Sequence, residues 1–387
     1  MIEALWLLLP VAAASGWLSA KRSGRGAEGS DPDAPSDYYQ GISFLLNHEE
    51  DKAIDVFLRV VEIDDDTAET HLALGSLFRQ RGEVQRAIRL HKDICDRVDL
   101  RKKKRDEARL ELARDYFAAG LHDWAERNFT QLIDEKVFIG PCYEGLIAIC
   151  ERGNEWQRAI DAAEQSQKLS DANHGASIAQ YHCELAKLAL THGEQAEADK
   201  ELNAAVAADV CCVRAWVMRA EIARERGDYR SAVRDYEKAI SLDEEIVPEV
   251  ARPLMETLSA TGDEGALRAY IAKLRTRSNS YTMISTASGV LERLEDPRSA
   301  RHFFKEQLLR RPSLQGLQHW ARMEMDNTSA ANRKQISVIV TMLDRVMENR
   351  PSHACRKCNF RGRHLHWQCP GCHSWDSIRP ILGVEGE

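Results

Sequence analysis

"RAWVMRAEIARERGDYRSAVRDYEKAISLD", residues 214–243, reads as two helices joined by a turn. The first helix carries Trp216 and Ala220, the turn falls at Gly227-Asp228, and the second helix carries Ala232, Tyr236 and Ala239 at helical spacing. Alanine and glycine at these positions let antiparallel helices approach closely, and the large residues fill the space left over.

The unit repeats. Sliding back 34 residues sets Gly193 under Gly227, Ala198 under Ala232, and Leu202 with Ala205 under Tyr236 with Ala239. Further upstream the same offsets give Gly153 and Ala159; Ala113, Gly120, Ala125 and Phe129; Gly75, Gly82 and Ala87; and Gly41 with Ala53. A 34-residue period of this kind resembles the tetratricopeptide repeat. Each helix pair buries its second face only against the next, so the expected fold class is an all-α superhelix with a groove, of about 8–9 pairs. Six units reach Asp243, and two degenerate ones follow around residues 258–274 and 291–313. "LQGLQHWARMEMD" and "KQISVIVTMLDRVMENR" form a capping pair. The basic run "RKKKRDEAR" (101–109) stretches one spacing to 38 residues and reads as an extended helix end or loop.

Composition narrows the class. With 387 residues, 43% hydrophobic and 29% charged, the chain is ordered and large enough for an array with appendages. A formal charge of −8 argues against nucleic acid as a partner. Across the helical region there is no phosphate-binding glycine loop, HExxH, GxSxG or convincing acid/base pair. His71, His91, His174 and His182 read as packing or surface residues, and Cys95, Cys142, Cys150, Cys183, Cys211 and Cys212 as close-packing ones. No catalytic residue and no organic cofactor site is expected.

Two ends remain. "ALWLLLPVAAASGWLSA" (4–20) lacks charge and, at 1.5 Å per residue, spans roughly 25 Å as a helix. It is a candidate membrane anchor with Trp6 and Trp17 at the interfaces. Lys21, Arg22 and Arg25 follow it, which puts the rest of the chain in the cytoplasm; a signal peptide would carry its positive charges first. The expected partition is anchor 1–20, linker 21–37, repeat array 38–349 and C-terminal module 350–387.

That module contains "CRKCNFRGRHLHWQCPGCHSW" (355–375). Cys355, Cys358, Cys369 and Cys372 form two CxxC pairs ten residues apart, which supplies four thiolates for one tetrahedral metal ion, iron or zinc. In a reducing cytoplasm such pairs hold metal rather than form disulfides. The pattern resembles the rubredoxin knuckle. Asn359 stands where such turns often use glycine, Pro370-Gly371 shapes the second turn, and Phe360, Trp367 and Trp375 are expected to pack around the metal. Arg356, Lys357, Arg361, Arg363, His364, His366 and Arg379 make the module basic, suited to docking on the acidic array or to meeting phosphates or RNA.

The anchor with "LLLPVAAASGW", the 34-residue repeats and "CRKCNF…HWQCPGCHSWDSIRPILGVEGE" together resemble the lipopolysaccharide assembly protein B family nearly end to end. The resemblance implies a non-enzymatic, single-pass protein of the bacterial inner membrane, facing the cytoplasm. It implies that the protein promotes degradation of the LpxC deacetylase by the FtsH protease and is linked to lipopolysaccharide transport. It carries over Lys21, Arg22 and the four cysteines, with the knuckle associated with the repeats. The rival expectations are electron transfer by iron at the knuckle, and binding of a lipid A precursor or RNA through the basic tail.

Overall fold

The computed structural model describes residues 67–277, 280–348 and 350–384, with isolated positions 43, 44, 52, 56 and 65 ahead of them. The expected anchor 1–20, the linker 21–37 and the first repeat around Gly41 and Ala53 lie outside the described residues. Among the described residues, no helix is long and apolar enough to cross a membrane.

Sixteen α-helices occupy the described part of the array, in eight consecutive pairs. They are α1 (Ala68–Gln80), α2 (Val84–Asp96), α3 (Lys102–Ala118), α4 (His122–Asp134), α5 (Ile139–Gly153), α6 (Trp156–Leu169), α7 (Gly175–Thr191) and α8 (Gln195–Ala208). Then follow α9 (Val213–Glu225), α10 (Tyr229–Leu242), α11 (Val247–Ala260), α12 (Glu264–Arg277), α13 (Tyr281–Leu294), α14 (Pro297–Arg310), α15 (Leu314–Asp326) and α16 (Ala330–Met347). The chain divides into two compact units, Met1–Gly145 and Leu146–Glu387.

The turn within a pair has a physical cause. Gly227 takes φ +80°, and the Asp228 N–H reaches back to the Ala223 carbonyl at 2.9 Å. The Asp228 carboxylate then accepts the Ser231 N–H at 3.2 Å and starts α10. Gly82, Gly120, Gly193 and Gly262 adopt the same left-handed conformation. The fourth turn departs from expectation: Gly153 ends α5 as a helical residue, and Asn154 takes φ +55° instead. Asparagine is among the few non-glycine residues that accept that region at modest cost.

The crossing residues are buried as their spacing requires. Ala113, Ala125, Ala159, Ala198, Ala220, Ala232 and Ala239 are fully inaccessible, as are Tyr236 and Leu202. Cys142, Cys150, Cys183 and Cys212 are buried among them, whereas Cys211 is exposed. Cys212 and Cys183 pack in one buried cluster. At Gly75 there is no room for a side chain, since an added Cβ would lie 2.3 Å from the His91 ring. Gly75→Ala is therefore expected to lower stability by about 1–3 kcal/mol. A thermal midpoint equal to that of the parent would refute this.

Among the described residues of the first unit, the most deeply buried carboxylate, Asp115, is paired. Asp115 is inaccessible and accepts Arg79 at 2.6 Å and His91 Nδ1 at 2.5 Å. The basic run is a helix extension: it makes α3 17 residues long. Three lysines in its first turn oppose the helix dipole. They are offset by Lys102–Glu135 at 3.0 Å and Lys104–Glu107 at 3.5 Å.

Candidate metal centre and its seat on the repeats

After α16 the chain forms a three-stranded antiparallel sheet, in the order β2-β1-β3, from β1 (His353–Cys355), β2 (Arg361–Gly362) and β3 (Ile378–Pro380). Ala354 faces Arg361 on one side and Arg379 on the other. Between the strands the two CxxC segments fold as matching turns. The Asn359 N–H donates to Cys355 O at 3.0 Å, and the His373 N–H donates to Cys369 O at 2.9 Å. Asn359 and His373 take φ +59° and +55°, each directly after the second cysteine of its pair. The left-handed residue of the second turn is thus His373, not Gly371. Gly371 serves proximity instead, since a Cβ there would stand 3.3 Å from Cys358 Sγ.

The turns gather Cys355, Cys358, Cys369 and Cys372 with all four sulfurs within 4.8 Å of one another. The separations Cys355–Cys372 and Cys358–Cys369 are 3.7 and 3.5 Å. A tetrahedral ion with metal–sulfur bonds of about 2.3 Å sets its ligands roughly 3.8 Å apart, whereas a disulfide needs about 2.05 Å. The donor set therefore fits one four-coordinate ion and leaves no open position on it.

Local donors favour thiolate at this site. The Ser377 hydroxyl, helped by the Cys358 and Lys357 N–H groups, draws the Cys355 thiol down to about 6. Ser374 lowers Cys372 through its hydroxyl and N–H. The Phe360 N–H favours the Cys358 thiolate, but burial and three neighbouring thiols outweigh it and push Cys358 up to about 12. Four thiolates repel one another until a cation joins them.

Of the aromatics, Phe360 packs on the sulfur cluster with Leu365. Trp367 and Trp375 instead turn outward onto the repeats. A module with three short strands has little interior, whereas the helices offer a large apolar face. The Trp375 ring meets Trp156 and Tyr181 edge-on, at 5.9 and 6.0 Å between centroids. Its Nε1–H donates to Glu151 Oε1 at 2.7 Å, the same oxygen that accepts the Tyr181 hydroxyl at 2.8 Å. The Arg214 guanidinium lies 5.9 Å from both Trp367 and Trp375, and is held by Glu184 at 2.8 Å.

Ion pairs extend the seat. His353 meets Glu249 at 2.9 Å, Arg356 reaches both oxygens of Glu245 at 2.6 and 2.5 Å, and Arg379 reaches Asp243 at 3.1 Å. Burial alone would lower the Arg379 guanidinium, but Asp376, Asp243 and Glu245 together raise it. Glu151, Tyr181, Arg214 and Glu249 stand on α5, α7, α9 and α11, the first helices of four consecutive pairs. The module thus covers the face that repeat arrays use to receive ligands. Sequence reasoning identified the cysteines and the docking charges Arg356 and Arg379. It missed Glu151, Tyr181, Glu184, Glu245 and Glu249, whose role depends on contacts far apart in the chain.

Known proteins share both parts. A tetratricopeptide repeat family model matches residues 59–315, and a rubredoxin metal binding domain model matches residues 353–380. The chain is 33% identical over 388 residues to lipopolysaccharide assembly protein B of Escherichia coli strain K12, covering 100% of both. It is 28% identical over 396 residues to the protein of that name from Haemophilus influenzae strain Rd, again covering 100% of both. Among solved structures, the C-terminal part of a repeat protein from Cytophaga hutchinsonii is 13% identical, with TM-score 0.39, covering 70% of this chain and 94% of that one.

Proposed function

This chain belongs to the lipopolysaccharide assembly protein B family, and on that premise we propose that it is a non-enzymatic adaptor of the bacterial inner membrane. It regulates lipopolysaccharide synthesis by bringing the LpxC deacetylase to the FtsH protease, and it links that step to lipopolysaccharide assembly and transport. Residues 1–20 anchor it, 21–37 form the linker, 38–349 the array and 350–387 the module, with the bulk of the chain in the cytoplasm. Cys355, Cys358, Cys369 and Cys372 hold one iron or zinc ion.

The observation that carries this reading is the seat of the module. Two tryptophans and three basic residues are spent on gripping the repeats, and the four thiolates form a closed set. Such a centre supports shape rather than turnover. When bound, the metal supplies the crosslink that holds the two turns together. Anchoring raises the concentration of client and protease at one surface, and proximity does the work.

Deleting residues 1–20 is expected to raise LpxC levels severalfold in cells while the remainder keeps its helical circular dichroism. Unchanged LpxC would remove the membrane-placement part. Capture of the intact protein from membranes, with partners identified by mass spectrometry, tests the rest: absence of both FtsH and LpxC would sink the adaptor reading. Metal analysis and voltammetry of protein made with both metals available decide between staple and electron carrier, since a reversible iron couple would favour the carrier.

A further inference from the structure

The four sulfur-bearing residues of the knuckle are not equally covered. Cys355 and Cys369 are 3% and 1% exposed and Cys372 is half-buried, whereas Cys358 is exposed. Cys355 Sγ also lies against the Ser377 hydroxyl and takes the Lys357 N–H, each at 3.4 Å. Beside Cys358, a side chain is missing where it would shield the sulfur. An added Cβ at Gly371 would stand 3.3 Å from Cys358 Sγ and 3.5 Å from Phe360 Cβ, and Gly371 is itself exposed. The space that a methyl group would fill is thus open to a small molecule from solvent. Cys369 Sγ lies 3.5 Å from Cys358 Sγ. A disulfide needs about 2.05 Å, so the pair closes with a movement of about 1.5 Å.

We propose that Cys358 is an oxidative modification site that takes a hydroperoxide, with Cys369 as the thiol that completes a disulfide. The inference rests on the four-thiolate reading above. Held as ligands, the sulfurs are thiolates, the form that attacks an O–O bond. The Cys358 thiolate attacks one oxygen of hydrogen peroxide. An S–O bond forms, the O–O bond breaks, and the departing hydroxide takes a proton and leaves as water. The Cys369 thiolate then attacks the sulfenic sulfur of Cys358. The S–S bond forms, the S–O bond breaks, and a second hydroxide leaves as water after taking a proton. Two thiolates are oxidised to one disulfide, and the peroxide is reduced to two waters. The oxidised knuckle keeps only Cys355 and Cys372 as donors and loses the ion. A dithiol reverses the step by exchange, as suits a transient disulfide in a reducing compartment. The residues that grip the repeats are interleaved with the ligands. Arg356 follows Cys355 directly, Trp367 stands two residues before Cys369, and Trp375 three after Cys372. Oxidation at Cys358 therefore loosens the seat and uncovers Glu151, Trp156 and Tyr181.

The test uses the full-length, zinc-loaded chain in detergent, carrying Cys211→Ser because Cys211 is the exposed cysteine outside the knuckle. Equimolar hydrogen peroxide is expected to release the zinc, read with a chromophoric chelator. Peptide mass spectrometry should find Cys358 joined to Cys369. Amide exchange in α7 should rise on oxidation and return with dithiothreitol and added zinc. Gly371→Ala is expected to slow release at least about threefold while still binding zinc, since susceptibility follows exposure. Brief iodoacetamide treatment of the parent should label Cys358 before the other three ligands, which gives a second readout if Gly371→Ala fails to load. A loaded chain that keeps its zinc under peroxide would overturn the proposal. So would a first disulfide other than Cys358–Cys369, a release rate indifferent to Gly371→Ala, unchanged exchange in α7, or labelling that starts elsewhere. A chain that holds neither zinc nor iron before peroxide is added would overturn the four-thiolate reading first, and this inference with it.

Discussion

Cys369→Ser combined with Cys372→Ser is expected to lose the metal, unfold residues 353–380 and release them from the repeats. The module's own core is small: Cys355, Cys369 and Ile378 are buried, with Phe360 and Leu365 packed on them. Strands of two or three residues add little to it. A segment of this size folds through its staple, and structural zinc in comparable modules contributes on the order of 10–16 kcal/mol at neutral pH. Hydrogen exchange should show 353–380 losing protection, with new exchange in α7 and α9 where the tryptophans sat. A chelator strong enough to strip the ion should do the same to the parent. Full protection in the double variant, with no metal by elemental analysis, would show that docking alone folds the module.

Trp375→Ala is expected to undock the module while leaving the metal in place. The substitution removes a ring packed against Trp156, Tyr181 and Arg214, and a donor to Glu151. Loss of a large aromatic from such a seat costs about 3–5 kcal/mol. Trp375→Phe keeps most of the ring contact and deletes the donor, for about 1–3 kcal/mol. Urea-dependent proteolysis of the C-terminal segment should rank the parent above Phe above Ala, with one metal per chain throughout. Equal resistance in all three would mean that the ion pairs of Arg356 and Arg379 carry the docking by themselves.

The array was legible in the sequence because its rules are local. Gly227 must stop one helix, Ala232 and Ala239 must admit another, and residues a few positions apart state both requirements. The one slip of register, Gly153 against Asn154, arose because a turn needs a backbone conformation, and asparagine supplies it as well as glycine does. Gly371 and His373 repeat the lesson in the second knuckle. There the glycine meets a sulfur, and the residue after the last cysteine makes the turn. Cys211 and Cys212 both read as packing residues, but only Cys212 is buried, since neighbours near a helix start point to different sides.

The sequence by itself determined the repeat, its period and the four cysteines that cluster, because each is written in short-range spacing. Only the tertiary structure decided where the module sits. Trp375 and Glu151 are 224 residues apart, and nothing in either neighbourhood announces the other. They meet because the helices lay out a face of acidic and aromatic residues, and the knuckle's two tryptophans find more surface to bury there than around the metal.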